Sequence, residues 1–370
     1  MAGDAPNEGD SMQGADPAVV RQALDTRNPL IGTRGFAGTV DGALVRDVLG
    51  RYPLFSESGA PSVYSADPTD LREPEAVPAG HRRDEDGDTR VWTLPNPGRY
   101  AADERAIEEV RSAIGDSVDD AGDETSDDVP VAFSGGIDSS ILASKLDGPL
   151  YVGGFEDSHD VEAARSAAEA LDREVHVVEF AHDDLVRAVP ELAHATGRTN
   201  AMDINIALPL YLVAERVAED GYDRLAVGQG ADELFGGYAK VAKAPEDPRV
   251  EAETVRGATR EVIASLPDQL ERDVLALRAA GVEPVAPLLD DRVVEAALRL
   301  PGELLVSGET RKVALREAAD FLPDEIRERD KKAVQYGTLV SRELDRLARQ
   351  AGFKRRMDDH VGQYIDSLCE

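Results

Sequence analysis

The chain has 370 residues, 42% of them hydrophobic and 31% charged, the make-up of a globular protein long enough for two or three domains. Asp and Glu recur along most of it and bring the formal net charge to −32, which argues against binding nucleic acid or anionic membranes. Lys is scarce, so the composition reads as a salt-adapted cytoplasmic protein of a halophile. The start of the chain has no signal-peptide pattern, no run of about 18 apolar residues occurs, and the single Cys, Cys369, excludes an intrachain disulfide and a multi-cysteine metal site.

Residues 1–16, rich in Gly, Asp and Ala, are expected to form a disordered acidic tail. Residues 17–99 form the next expected domain. Within it, from Asn28 to Pro97, short apolar runs (F-A-G-T-V-D-G-A-L-V-R, Y-P-L-F-S, S-V-Y-S-A, R-V-W-T-L) are separated by Gly, Pro and Asp, which predicts a small strand-rich unit with Trp92 as a packing residue. The remaining expected domain is 100–370. Ile107, Val110 and Ile114 have helical spacing up to Val118, and V-D-D-A-G-D-E-T-S-D-D then reads as an acidic loop.

Strands are predicted at V-P-V-A-F, L-Y-V-G-G-F, V-H-V-V-E-F and R-L-A-V, with helices over Ser139–Leu146, Val161–Leu171 and Ala207–Asp220. Strand and helix alternation of this kind predicts an α/β fold with a parallel sheet covered on both faces. The rest of the chain reads as mainly helical, and the basic stretch Phe353–Met357 as a surface helix docking on acidic neighbours. His159, His176, His182 and His194 lack metal-binding spacing and read as ordinary helix and strand residues.

The stretch V-A-F-S-G-G-I-D-S-S, Val131 to Ser140, carries the chemistry. A strand running into Gly135 and Gly136 and then a helix brings backbone N–H groups and a helix N-terminus to the sheet edge, where Ser134, Ser139 and Ser140 add hydroxyls; a phosphate chain suits such a place. Simple helix capping would explain one Ser or the Asp but not the whole cluster. Neither the P-loop pattern nor the dinucleotide pattern is present. About ninety residues on, L-A-V-G-Q-G-A-D-E-L-F-G-G-Y repeats the strand-glycine-acid layout, making Asp138 and Asp232 candidates to share a metal ion. Lys331 and Lys332 stand out because the only other lysines are Lys145, Lys240, Lys243, Lys312 and Lys354.

S-G-G-I-D-S resembles the pyrophosphate loop of ATP pyrophosphatases. Together with G-A-D-E-L-F-G-G-Y, G-V-E-P-V-A-P-L-L-D and K-K-A-V-Q-Y-G it resembles the synthetase domain of asparagine synthetases, from about Asp103 to Leu347. The resemblance implies a parallel-sheet ATP-pyrophosphatase domain with a helical C-terminal part, which adenylates an aspartate-like carboxylate and passes it to ammonia. By position it implies that Ser134, Gly135, Gly136, Asp138 and Ser139 hold the phosphates of ATP, that Asp138 and Asp232 ligate Mg²⁺, that Gly228 borders the nucleotide, and that Lys331 meets the departing pyrophosphate.

Upstream, G-A-L-V-R-D-V-L-G-R-Y-P-L-F-S, S-V-Y-S-A and A-V-P-A-G-H resemble the later half of a class II glutaminase domain. The nucleophilic Cys of that class is missing, with Ala2 at the second position, so glutamine hydrolysis is not expected and residues 17–99 read as a shortened relic. Two departures touch the synthetase site. Gln229 stands where the family has a carboxylate that takes the amine's proton, and Val285 stands where it has Arg; Met202–Pro209 also lacks an Arg near its Pro.

The expected partners are therefore a small carboxylate substrate and ammonia or an amine, from solution or from a partner amidotransferase, with a homodimer left open. Two other readings remain: a different adenylating enzyme acting on a tRNA base or closing an intramolecular amide, and an ATP-binding regulatory or scaffold protein without acceptor chemistry.

Overall fold

In the computed structural model the described residues are 10–123, 128–243, 252, 254–329 and 333–370. By packing, the chain divides into two units. Unit 1 gathers residues 1–117, 229–271 and 286–318; unit 2 gathers 118–228, 272–285 and 319–370.

Unit 1 begins with β1 (Ser11–Gln13), which pairs antiparallel with β2 (Ala37–Val40), so this part of the expected tail is ordered. Residues 1–9 lie outside the described residues. Between them runs α1 (Pro17–Thr26), opened by Asp16, whose carboxylate accepts the N–H of Ala18. The run F-A-G-T-V-D-G-A-L-V-R folds as a hairpin, β2 to β3 (Ala43–Arg46), its turn made by Asp41 and Gly42 at positive φ. The strands β4 (Phe55–Glu57), β5 (Ala60–Ser65) and β6 (Pro74–Ala76) form a second sheet in the order β5-β4-β6. The first sheet is completed by β7 (His81–Asp84) and β8 (Gly87–Arg90). R-V-W-T-L leaves β8 after Arg90, and Trp92 turns inward instead, its ring edge-on to Phe36 at 5.5 Å in a core with Val20, Val40 and Val45.

The helix α2 (Asp103–Asp123) is longer than expected. Val118 and Ala121 continue the buried stripe of Val110 and Ile114, so the acids between them occupy the exposed face and do not end the helix. Residues 124–127 of the expected acidic loop lie outside the described residues.

Unit 2 holds one parallel sheet in the order β11-β10-β9-β12-β13, with β9 Val131–Ala132, β10 Leu150–Gly154, β11 Val175–Glu179, β12 Arg224–Ala226 and β13 Glu283–Val285. The helices α3 (Ile137–Ala143), α4 (His159–Ala170), α5 (His182–Thr196) and α6 (Ala201–Glu219) connect them. This is the α/β architecture expected from the alternating pattern. The strand β10 is buried throughout; a side chain at Gly153 would strike the Phe180 ring and Val213, so glycine there lets α6 lie close against the sheet. The same helix begins six residues earlier than predicted because Asn200 caps it, accepting the N–H of Asp203, and it carries Pro209 in its interior.

Phe353–Met357 is a turn and not the helix expected. Arg355 there pairs with Asp345, which Arg349 and His360 also reach; with Arg355 as the main cause, these partners hold the Asp345 carboxyl well below the usual range. Among the described residues no helix is long and apolar enough to cross a membrane.

Candidate functional site

The candidate phosphate-binding turn lies in unit 2, where β9 ends. Phe133 donates its N–H to the carbonyl of Tyr151 at 2.7 Å, and the chain then leaves the sheet. Gly135 takes φ +69, and a Cβ on it would sit 2.4 Å from the Ala163 carbonyl oxygen, so both conformation and space demand glycine. Gly136 caps α3 through its backbone: its carbonyl accepts the Ser140 N–H at 3.0 Å. The Ser139 hydroxyl closes the loop by accepting the Ser134 N–H at 3.2 Å and donating to the Gly136 carbonyl at 3.3 Å. Ser134 Oγ lies 3.4 Å from the same hydroxyl.

The Ser139 side chain thus shapes the loop from within. Ser140 is fully buried, which removes it from the ligand-facing hydroxyls that the sequence offered. The Asp138 side chain is also buried, in the first turn of α3.

Beyond β12, a Cβ on Gly228 would lie 3.0 Å from Asp138 Cβ and 3.3 Å from the Ser139 nitrogen. Glycine at 228 therefore lets the end of β12 close onto the first turn of α3, and the structure brings Gly228, Asp138 and Ser139 together as one wall. Val285, on the sheet-edge strand β13, is buried, and its carbonyl accepts the Val227 N–H at 2.9 Å. An apolar side chain fits that position, where the family's Arg would have to find a partner.

In unit 1, the acidic turn singled out in the sequence starts at Gln229. Gly230, at φ +93, turns the chain into α7 (Ala231–Leu234), which carries Asp232 and Glu233. Asp232 Oδ1 pairs with the ammonium of Lys312 at 2.7 Å. The Lys312 side chain is 9% exposed and that of Asp232 is 40% exposed, so one end of the carboxylate is packed while the group as a whole still meets solvent. Gly237 completes the packing: a Cβ there would fall 1.9 Å from Asp232 Oδ1 and 2.5 Å from Lys312 Cε. Glu233 is buried; burial pushes its carboxyl above the usual range, against the Tyr238 hydroxyl, which donates to Oε1 at 2.5 Å.

Asp138 and Asp232, the expected metal pair, therefore belong to different units. Lys331 and Lys332 lie outside the described residues. After them, the glycine of K-K-A-V-Q-Y-G is explained by Asp160, whose carboxylate would stand 2.0 Å from a Cβ on Gly337. Lys312 was visible in the sequence only through the scarcity of lysine; nothing in the motif spacing tied it to Asp232.

The donor set suits a hard cation. Carboxylate oxygens with the phosphates of a nucleotide are how Mg²⁺ is usually held, and one or two side chains suffice. Among the described residues no group of three or more His, Cys, Asp or Glu could hold a metal by itself.

The asparagine synthase family model matches residues 109–261 and 242–367. The chain is 30% identical over 279 residues to a putative asparagine synthetase [glutamine-hydrolyzing] 1 of Methanocaldococcus jannaschii, covering 65% of this chain and 51% of that protein. It is 28% identical over 253 residues to asparagine synthetase B [glutamine-hydrolyzing] of Escherichia coli, covering 62% and 44%. It thus spans about half the length of the curated relatives it matches. Among solved structures, NMN synthetase from Francisella tularensis is similar at a TM-score of 0.33 and 12% identity, over 73% of this chain and 94% of that one. With the family model matched over more than half of its length, the chain belongs to the asparagine synthase family.

Proposed function

We propose that the protein is an ATP-dependent carbon–nitrogen ligase that adenylates a small carboxylate and forms an amide with ammonia or an amine. The loop from Ser134 to Ser139 carries this reading, because a left-handed glycine and an internally bonded Ser139 fix it at the C-terminal end of the central strand β9, ahead of the α3 N-terminus, in a shape suited to pyrophosphate.

In the first step a carboxylate oxygen attacks the α-phosphorus and the bond to the bridging oxygen breaks, so that pyrophosphate leaves and the acyl group is linked to AMP. In the second step the amine nitrogen attacks the acyl carbon, AMP leaves with the electron pair of the acyl–oxygen bond, and the amine gives up a proton. Ser134, Gly135, Gly136, Asp138 and Ser139 hold the phosphates, Gly228 borders the nucleotide, and Lys331 faces the departing pyrophosphate. Asp138 and Asp232 would hold Mg²⁺, which when bound neutralises phosphate charge.

Gln229 orients the amine but, being an amide, takes no proton from it. We assign the amine to solution or to a partner amidotransferase, and the setting to a salt-rich cytoplasm. The buried Val285 favours an acid other than aspartate, since it removes a cation that would hold a second carboxylate.

The test is acid-dependent exchange of labelled pyrophosphate into ATP at high salt, with a panel of carboxylic acids, followed by amide formation with ammonium or glutamine. One acid should support exchange, and ammonium but not glutamine should then yield AMP and amide. Tight ATP binding with no exchange for any acid would reject the ligase in favour of a nucleotide-binding scaffold.

Lys312 offers a second test of the same site. A group that grips a metal-binding carboxylate from behind usually changes metal affinity by about 10-fold or more when removed. Lys312→Met should therefore weaken Mn²⁺ binding in the presence of ATP, read by electron paramagnetic resonance, by about 10-fold. Unchanged Mn²⁺ affinity would take Asp232 out of the metal site.

A further inference from the structure

We propose that Arg329 is a positioning residue of the phosphate loop, holding the Gly135 peptide from the side opposite the ligand; this rests on reading that loop as the pyrophosphate site. Its Nη1 donates to the Ala163 carbonyl at 2.6 Å and makes a longer contact, 3.4 Å, with the Gly135 carbonyl. Its Nη2 donates to Ser166 Oγ at 3.0 Å. Ala163 is the same carbonyl against which the bare Cα of Gly135 packs. Two peptides and one guanidinium therefore meet behind the loop: Nη1 alone reaches both carbonyls, while Nη2 on Ser166 of α4 fixes the plane of the fork, which a single ammonium could not do.

The chemistry follows from the peptide bond. In a trans peptide the carbonyl of one residue and the N–H of the next point in opposite directions. Drawing the Gly135 carbonyl toward Arg329 aims the Gly136 N–H away from it, toward the mouth of the loop. The Gly136 carbonyl is separately fixed by Ser139 and Ser140, so the peptide units on both sides of Gly136 are held. The guanidinium also places a positive charge behind the loop, next to the Gly135 carbonyl. In a chain of net charge −32 a fixed local cation of this kind matters more than usual, because the distant field repels ATP.

The test uses the full chain with inorganic pyrophosphate as the binding probe, measured by calorimetry, together with the KM for ATP and kcat of exchange. Arg329→Ala should weaken pyrophosphate binding and raise the KM for ATP by about 10-fold or more while lowering kcat, and millimolar guanidinium should restore part of both. R329K keeps the charge but not the fork. It should fold with an unchanged melting temperature and still bind pyrophosphate several-fold more weakly than wild type.

Full activity in R329K would overturn the positioning role, as would R329A with wild-type affinity. Wild-type protein that binds no pyrophosphate would instead overturn the reading of the loop itself, whatever the Arg329 variants do.

Discussion

Gly135→Ala is expected to lower pyrophosphate exchange by more than about 100-fold while leaving the protein folded. The residue stands at φ +69, where an L side chain costs roughly 1–2 kcal/mol, and its Cβ would press to 2.4 Å from the Ala163 carbonyl, which belongs to a helix and cannot step aside. The loop must move instead. A displacement of about 1 Å is enough to cost about 100-fold in a reaction that depends on positioning. Gly197→Ala is the matched control, since Gly197 has nearly the same φ, +66, with nothing within 4 Å of the added Cβ. It should show the conformational cost as a small drop in melting temperature and no loss of exchange. Exchange by G135A within a few-fold of wild type would remove the loop from the phosphate site.

Asp291→Ala should destabilise the protein by about 3–5 kcal/mol, the cost of stripping the partner from a buried ion. One oxygen of this buried carboxylate accepts the N–H groups of Ile31, Gly32 and Thr33 at 2.9, 3.1 and 3.0 Å. The other faces Arg51 Nη1 at 2.7 Å, while Arg51 Nε donates to Asp47 at 2.9 Å. Burial opposes the Arg51 charge, yet Asp47 and Asp291 outweigh it and hold the guanidinium pKa above its ordinary value. Removing Asp291 leaves three amides and a cation facing a void. Urea unfolding monitored by circular dichroism should show the loss at low and high salt alike, because buried pairs are poorly screened. A change below about 1 kcal/mol would mean that this cluster adds little to the fold.

The turn from Ser134 to Ser139 was legible because its pattern is local: a strand end, two glycines and a helix start occupy ten consecutive residues. The parallel direction of the unit 2 strands followed from alternation of the same local kind; their order did not, and β13 went unpredicted. What escaped was decided by distant partners. The acids after Val118 looked like a loop, but Val118 and Ala121 keep the buried spacing and the helix continues. Ser11–Gln13 looked featureless until β2 offered it an edge. The helix predicted from Ala207 starts at Ala201 because Asn200 caps it there, which puts Pro209 in its interior, where tertiary burial holds the helix together despite the lost hydrogen bond. Lys312 and Arg329 carry no motif of their own, and each matters through a group far from it in sequence.

The carboxylate of Asp291 closes on Thr33 and Arg51 across some 240 positions of sequence. A gene fragment starting at residue 100 would encode all the residues assigned here to ATP, yet it would make a protein with Asp291 facing empty space. Losing the N-terminal segment would take Thr33 and Arg51 from Asp291, so those residues serve the fold whatever chemistry the segment has of its own.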